Sequence, residues 1–147
     1  MDASYNFIEE VNLYLPNLRK LNLQYNKLNK FPILEKMHKL KDLNLNSNCL
    51  TSFKDVIIDF TPNIEKLDIG QNNLSFKIES DFIEFIEKLK DLNQLTHLDV
   101  LGNTFFQKEN LKKFKGLDVK EEIIEQLKNL QVFNGDDIET VKININK

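Results

Sequence analysis

The chain has 147 residues, a formal charge of −3 and one cysteine, Cys49. That length suits a single domain with one core, and the charge gives no general pull toward nucleic acid or anionic lipid. A lone cysteine excludes an internal disulfide.

No apolar run approaches the ~20 residues of a membrane span. The start, Met1-Asp2-Ala3-Ser4, lacks the basic and apolar regions of a secretory signal. The expectation is a soluble chain of the cytoplasm or nucleus, not secreted and with no membrane partner. Asn, Lys, Ile and Phe abound and Arg19 is the single arginine, a skew that an AT-rich genome produces.

In chain order, Phe7, Ile8, Val11 and Leu15 recur at helical spacing. Asn6 and Glu9 are placed as a capping box, and Pro16 ends the run. Residues 1–17 are therefore expected to form an N-terminal helix. It would cover the open apolar edge of the segment that begins at Leu18, or dock as an amphipathic helix on a partner.

From Leu18 the wording L-x-x-L-x-L-x-x-N-x-L begins and returns. The copies are Leu18, Leu21, Leu23, Asn26, Leu28; then Leu40, Leu43, Leu45, Asn48, Leu50; then Ile64, Leu67, Ile69, Asn72, Leu74; then Leu95, Leu98, Val100, Asn103, Phe105. Leu130 and Phe133 open a fifth that breaks off at Asn134-Gly135. This pattern resembles the leucine-rich repeat family. The resemblance implies an α/β solenoid with a short parallel β-sheet on its concave face and helices on its convex face. Residues 18–135 are expected to hold four full repeats and a terminal partial one. Residues 136–147 form a tail or a terminal cap strand, because Val141, Ile143 and Ile145 alternate with polar residues.

The repeat asparagines are read as structural. The chain bends there, and a primary amide offers donors and acceptors to backbone groups that a buried bend leaves unpaired.

The return segments differ. The first begins at Pro32, suited to a helix start, with Ile33, Leu34 and Met37 inward. The second has Ser52 as a cap before Val56, Ile57 and Phe60. The third pairs Asp81 with Glu84 as a capping box ahead of the stripe Phe82, Phe85, Ile86, Leu89 and Leu92. After Asn103, a lysine-rich helix over 108–115 ends at Gly116, and Asp118 with Glu121 opens another through Leu130 with Ile123, Ile124 and Leu127 inward.

The run from Gly102-Asn103 to Phe133-Asn134-Gly135 is similar to the terminal cap of a group of intracellular leucine-rich repeat proteins. That group includes the regulatory subunit of protein phosphatase 1, a spliceosomal subunit, the acidic nuclear phosphoproteins and a dynein light chain. Ile123, Ile124, Leu127, Leu130, Val132, Phe133 and Gly135 carry the likeness. Thr104 stands where that cap has Pro, Asn134 where it has Asp, and the connecting segment is longer. The resemblance implies a non-enzymatic binding scaffold with no cofactor.

No Gly-rich phosphate loop, zinc-type Cys/His spacing or nucleophile elbow occurs. His38 and His97 fall on different faces, and Cys49 is read as a small filler. Alternation along the strands places the outward residues on the concave face. They are Lys20, Asn22, Gln24 and Tyr25, then Asp42, Asn44, Asn46 and Ser47, then Lys66, Asp68, Gly70 and Gln71, then His97, Asp99, Leu101 and Gly102. Asn22, Asn44, Asp68 and Asp99 form one row. Neighbouring Asp68 and Asp99 repel. Solvation, with Lys66 and His97 beside them, offsets this, or the pair awaits a basic segment of a protein partner, reinforced by Asp136 and Asp137. Tyr25 and Leu101 are exposed anchors.

A second patch, Lys108, Lys112, Lys113 and Lys115 around Phe106 and Phe114, is a solvated helix face or a site for an acidic partner. The reading is a protein–protein interaction scaffold, a small subunit of a larger assembly that binds through its concave face. Regulation of an enzyme such as a protein phosphatase is the alternative.

Overall fold

The computed structural model describes residues 1–53, 61–106 and 118–145. Its main sheet has six strands: β2 (Lys20–Asn22), β4 (Asp42–Asn44), β5 (Lys66–Asp68), β6 (His97–Asp99), β7 (Val132–Phe133) and β8 (Asp136–Asp137). The first five run parallel, and β8 turns back antiparallel on β7. A second, two-stranded sheet pairs β1 (Asn12–Leu13) with β3 (Ile33–Leu34). The helices are α1 (Glu79–Lys90), α2 (Val119–Gln126) and α3 (Ile138–Ile145), with a 3-10 turn at Thr104–Phe106.

Two or three residues per strand suffice in the parallel part of the sheet because one of them always points inward. Leu21, Leu43, Leu67, Leu98 and Phe133 are all buried and stack strand on strand. Fifteen of the sixteen apolar repeat positions are buried, and Leu18 packs partly against the same core. Beyond the sheet a cluster of phenylalanines fills the turns. Phe53 lies 3.9 Å from Phe85, 5.6 Å from Phe76 and 5.9 Å from Phe31, centroid to centroid.

The asparagine column carries the backbone accounting of the bends. Asn48 donates to the carbonyls of Leu23, Leu45 and Asn46 and accepts the Leu28 N–H at 3.0 Å. Asn72 donates to Leu45, Ile69 and Gly70 and accepts from Leu50. Asn26 and Asn103 repeat the pattern with their own neighbours. Each amide therefore ties its own turn to the repeat before it, and buried N–H and C=O groups are paired as they must be.

The N-terminal helix expected within residues 1–17 does not form. Met1–Ala3 lies along β2 instead, with the Ala3 N–H donating to the Asn22 carbonyl and the Asn22 N–H donating to Met1. The octet Met1-Asp2-Ala3-Ser4-Tyr5-Asn6-Phe7-Ile8 matches Leu21-Asn22-Leu23-Gln24-Tyr25-Asn26-Lys27-Leu28 position by position. Asn6 donates to the Ala3 and Ser4 carbonyls as Asn26 does to Leu23 and Gln24. Residues 1–8 thus follow the path of a repeat. Pairing in this way gives the N–H and C=O groups on the open edge of β2 partners that a helix could not supply, and Phe7 is left exposed.

Other local expectations shift as well. No helix follows Pro32; β3 forms there, Leu34 and Met37 are buried, and Ile33 is exposed. Helix α1 begins at Glu79 rather than at a capping box, and the Asp81 carboxylate accepts the Lys77 N–H. Asp118 does cap α2, accepting from Lys120 and Glu121, and Ile123, Ile124 and Leu127 are buried; this helix ends at Gln126, short of Leu130. The tail is β8 followed by α3, with Ile138 and Val141 buried. Cys49 is exposed and fills no gap. The helix expected after Ser52 and the lysine cluster at 108–115 lie outside the described residues.

Candidate functional site: the concave face

Strand register arranges the outward side chains in rows. Lys20, Asp42, Lys66 and His97 form the first, and Asn22, Asn44, Asp68 and Asp99 form the second, as alternation requires. The Asp2–Asn22 bridge puts Asp2 at the head of the second row. Two residues on, Gln24, Asn46, Gly70 and Leu101 form a third, each carbonyl receiving an N–H from the preceding repeat.

Charges in the first row alternate, and Lys20 meets Asp42 at 3.5 Å. Those two side chains serve each other and, lying at the surface with Lys20 exposed, contribute little to stability. His97 Nδ1 lies 2.9 Å from the Thr96 hydroxyl.

Every member of the second row has the same local duty. One side-chain oxygen accepts the backbone N–H two residues later: Asp2 from Ser4 at 2.9 Å, Asn22 from Gln24 at 3.2 Å, Asn44 from Asn46 at 3.0 Å, Asp68 from Gly70 at 3.0 Å and Asp99 from Leu101 at 2.9 Å. This turn requires an oxygen, and both Asn and Asp supply it. The negative charge at 68 and 99 is therefore surplus to the fold.

That charge has a cost. Partial burial pushes the Asp99 carboxyl above its ordinary value of 3.8, the Leu101 N–H pulls it back, and the charge of Asp68 raises it further. Asp68 draws compensation from the Asn46 amide, which donates to it at 3.0 Å. Among the described residues neither carboxylate is in an ion pair, so the offset expected from Lys66 and His97 is supplied by amides instead. Gly70 makes the convergence possible. A Cβ there would stand 2.9 Å from Asn46 Nδ2, 3.0 Å from Asp99 Oδ1 and 3.1 Å from the Leu101 carbonyl.

Exposed apolar groups flank the row. Leu101 is 51% exposed at the acidic end, and Tyr25 is 48% exposed at the other. Tyr25 is not alone: Tyr5 stacks on it, centroids 4.5 Å apart at 15°. Beside them Lys27 lies over the Phe7 ring at 4.8 Å. The helical spacing of residues 7–15 conceals Asp2, Tyr5 and Phe7 in the sequence; the M-D-A-S-Y-N-F-I match to the repeat is the signal that points to them. Asp136 and Asp137 are exposed on β8, at the edge of the same sheet. Among the described residues no group of His, Cys, Asp and Glu is arranged to hold a metal ion, and no helix is long and apolar enough to cross a membrane.

A family model described as leucine-rich repeats in two copies matches residues 16–57, where the asparagine ladder begins. That stretch is similar to leucine-rich repeats, and the fold is that of their solenoids. The chain is 29% identical over 87 residues to Toll-like receptor 2 of Ovis aries, covering 59% of this chain and 11% of that one. It is 36% identical over 92 residues to the transforming growth factor beta activator LRRC33 of Danio rerio, covering 60% and 13%. It therefore spans little more than a tenth of the length of these curated relatives. Among solved structures, the Drosophila melanogaster SNF/U2A′ complex contains a chain of the same fold, with a TM-score of 0.65 at 20% identity over 88% of this chain and 67% of that one. Leucine-rich repeats are protein-interaction modules, and the concave sheet is the extended surface such solenoids offer.

Proposed function

We propose that this chain is a non-catalytic scaffold whose concave face captures a basic segment of a protein partner. One observation carries the reading: the turn oxygens at 68 and 99 are carboxylates where amides would serve equally, so the face holds two adjacent charges that the fold does not need, and burial disfavours the one at Asp99. A cationic group seated on Asp68 and Asp99 would neutralise both, in a site that Gly70 keeps open and Leu101 borders with an apolar rim. Lys20, Asn22, Gln24, Asp42, Asn44, Asn46, Lys66 and His97 complete the face.

The solved chain of like fold was crystallised in a complex, which supports reading this one as a small subunit of a larger assembly in the cytoplasm or nucleus. The experiment is affinity capture from native cells with the wild-type chain and with Asp68→Lys/Asp99→Lys, after a melting curve shows both folded. The wild type should retain proteins that the reversed chain loses, and retention should weaken with salt. Identical retention by both refutes the concave-face reading. Adding the chain to a purified protein phosphatase catalytic subunit tests the narrower idea of enzyme regulation, which fails if activity does not change.

A further inference from the structure

The concave face bears carboxylates at both ends of one row and amides between them. Asp2 heads it, Asn22 and Asn44 come next, and Asp68 and Asp99 close it. At the same end of the face, three residues after Asp2 and three after Asn22, come Tyr5 and Tyr25, whose stacked rings are 70% and 48% exposed. We propose that the binding site is bipartite: the partner's segment is extended and carries two basic residues, one held by Asp68 and Asp99 and the other, an arginine, held by the Asp2 carboxylate and the Tyr5–Tyr25 stack. This inference rests on the concave-face reading and adds a second anchor and a spacing to it.

Three features support the second anchor. First, the tyrosines do not serve the core, since both are exposed. Second, both occupy left-handed backbone, with φ of 55° at Tyr5 and 53° at Tyr25, where a side chain bearing Cβ is disfavoured. The same position in later repeats holds Ser47, Gln71 and Gly102, so the turn itself does not require an aromatic. Third, the chemistry matches a guanidinium. An arginine stacks its plane on a tyrosine face while its N–H groups reach a neighbouring carboxylate.

The spacing comes from the sheet. Asp2 and Asp68 are three strand steps apart, about 14 Å at ~4.8 Å per step. An extended partner covers that in about four residues. Between the anchors this row is neutral, with Asn44 Nδ2 tied to Gln24 Oε1 at 3.2 Å, so the partner residues that lie along it are uncharged.

Fluorescence anisotropy with labelled Gly/Ser peptides tests this. The peptides carry two arginines about two, four or eight positions apart, and a control of equal charge carries them adjacent. The four-residue spacing should bind most tightly. Asp2→Asn with Tyr5→Ser and Tyr25→Ser should weaken that peptide about fivefold or more and leave the adjacent-arginine control unchanged; serine is what Ser47 supplies at the same turn, and a circular dichroism melt verifies folding. If binding depends on Asp68 and Asp99 but not on spacing, Asp2 or the tyrosines, the bipartite site is overturned while the concave-face reading stands. If no peptide binds, and capture from cells is the same for Asp68→Asn/Asp99→Asn as for the wild type, both fall together.

Discussion

Asn72→Ala is the most direct test of what holds the solenoid together. Asn72 is 4% exposed and makes four hydrogen bonds: it accepts the Leu50 N–H at 3.0 Å and donates to the carbonyls of Leu45 at 3.0 Å, Ile69 at 3.1 Å and Gly70 at 2.9 Å. These four do not weigh equally. After truncation Leu45 still receives the Asn48 amide, Ile69 the Asn103 amide and Gly70 the Ser47 N–H. The buried Leu50 N–H has no such second partner. Leaving a buried donor unpaired costs roughly 1–3 kcal/mol, and three weakened carbonyls add some tenths each, so the total is about 3 kcal/mol. Urea denaturation at constant m-value measures it. Asn26→Ala provides the contrast: its acceptor serves Ile8, whose bond is only partly buried, so water can replace it at a cost of about 1 kcal/mol. Equal costs for the two substitutions, or a loss below about 1 kcal/mol for Asn72→Ala, would refute the assignment of the ladder's strength to the orphaned donor.

Four further outcomes are expected. Phe53→Ala should cost about 3–5 kcal/mol in the same assay, because Phe53 contacts Phe31, Phe76, Phe85 and Phe105 in one cluster. Gly70→Ala should destabilise by roughly 1–3 kcal/mol, since the added methyl meets the Leu101 backbone carbonyl as well as two side chains that can swing away. Lys36→Gly should stabilise by about 0.5–1 kcal/mol, as Lys36 is exposed with φ of 52°. Asp99→Asn keeps the acceptor for Leu101 and removes the charge. Because the folded carboxyl titrates above its ordinary value, native Asp99 lowers stability above its folded pKa, and that penalty fades as pH falls through it. The variant should therefore have the higher urea midpoint at neutral pH and lose the advantage in acid; an advantage that persists in acid would argue against the electrostatic cause.

The repeat frame is readable because each copy states its own structure. The spacing of Leu43, Leu45 and Asn48 fixes which side chains turn inward and which amide closes the bend, and the row through Asn44, Asp68 and Asp99 comes from alternation alone. The N-terminal segment misleads because two periods compete there. Phe7, Ile8, Val11 and Leu15 satisfy a helical spacing, while pairing of Met1–Ala3 with β2 is decided by residues twenty positions away. Met1 and Ala3 stand where leucines normally announce the repeat, so only Asn6 and Ile8 keep its wording. The tail fails in the opposite direction. Val141, Ile143 and Ile145 alternate as a strand would, yet Ile138 and Val141, three apart, bury one side of a helix. Asp68 and Asp99 are legible as a pair, but their turn-closing role is not, since it depends on backbone geometry that alternation does not specify.

Because each ladder asparagine bonds only its own turn and the repeat before it, the molecule has a unit of length. Adding one in-register repeat between Asn48 and Asn72 would disturb no other bond of the ladder, and it would move the two ends of the concave face apart by a single strand spacing. A chain built this way is a ruler whose graduations are its repeats, and the distance it measures can be rewritten without redesigning either end.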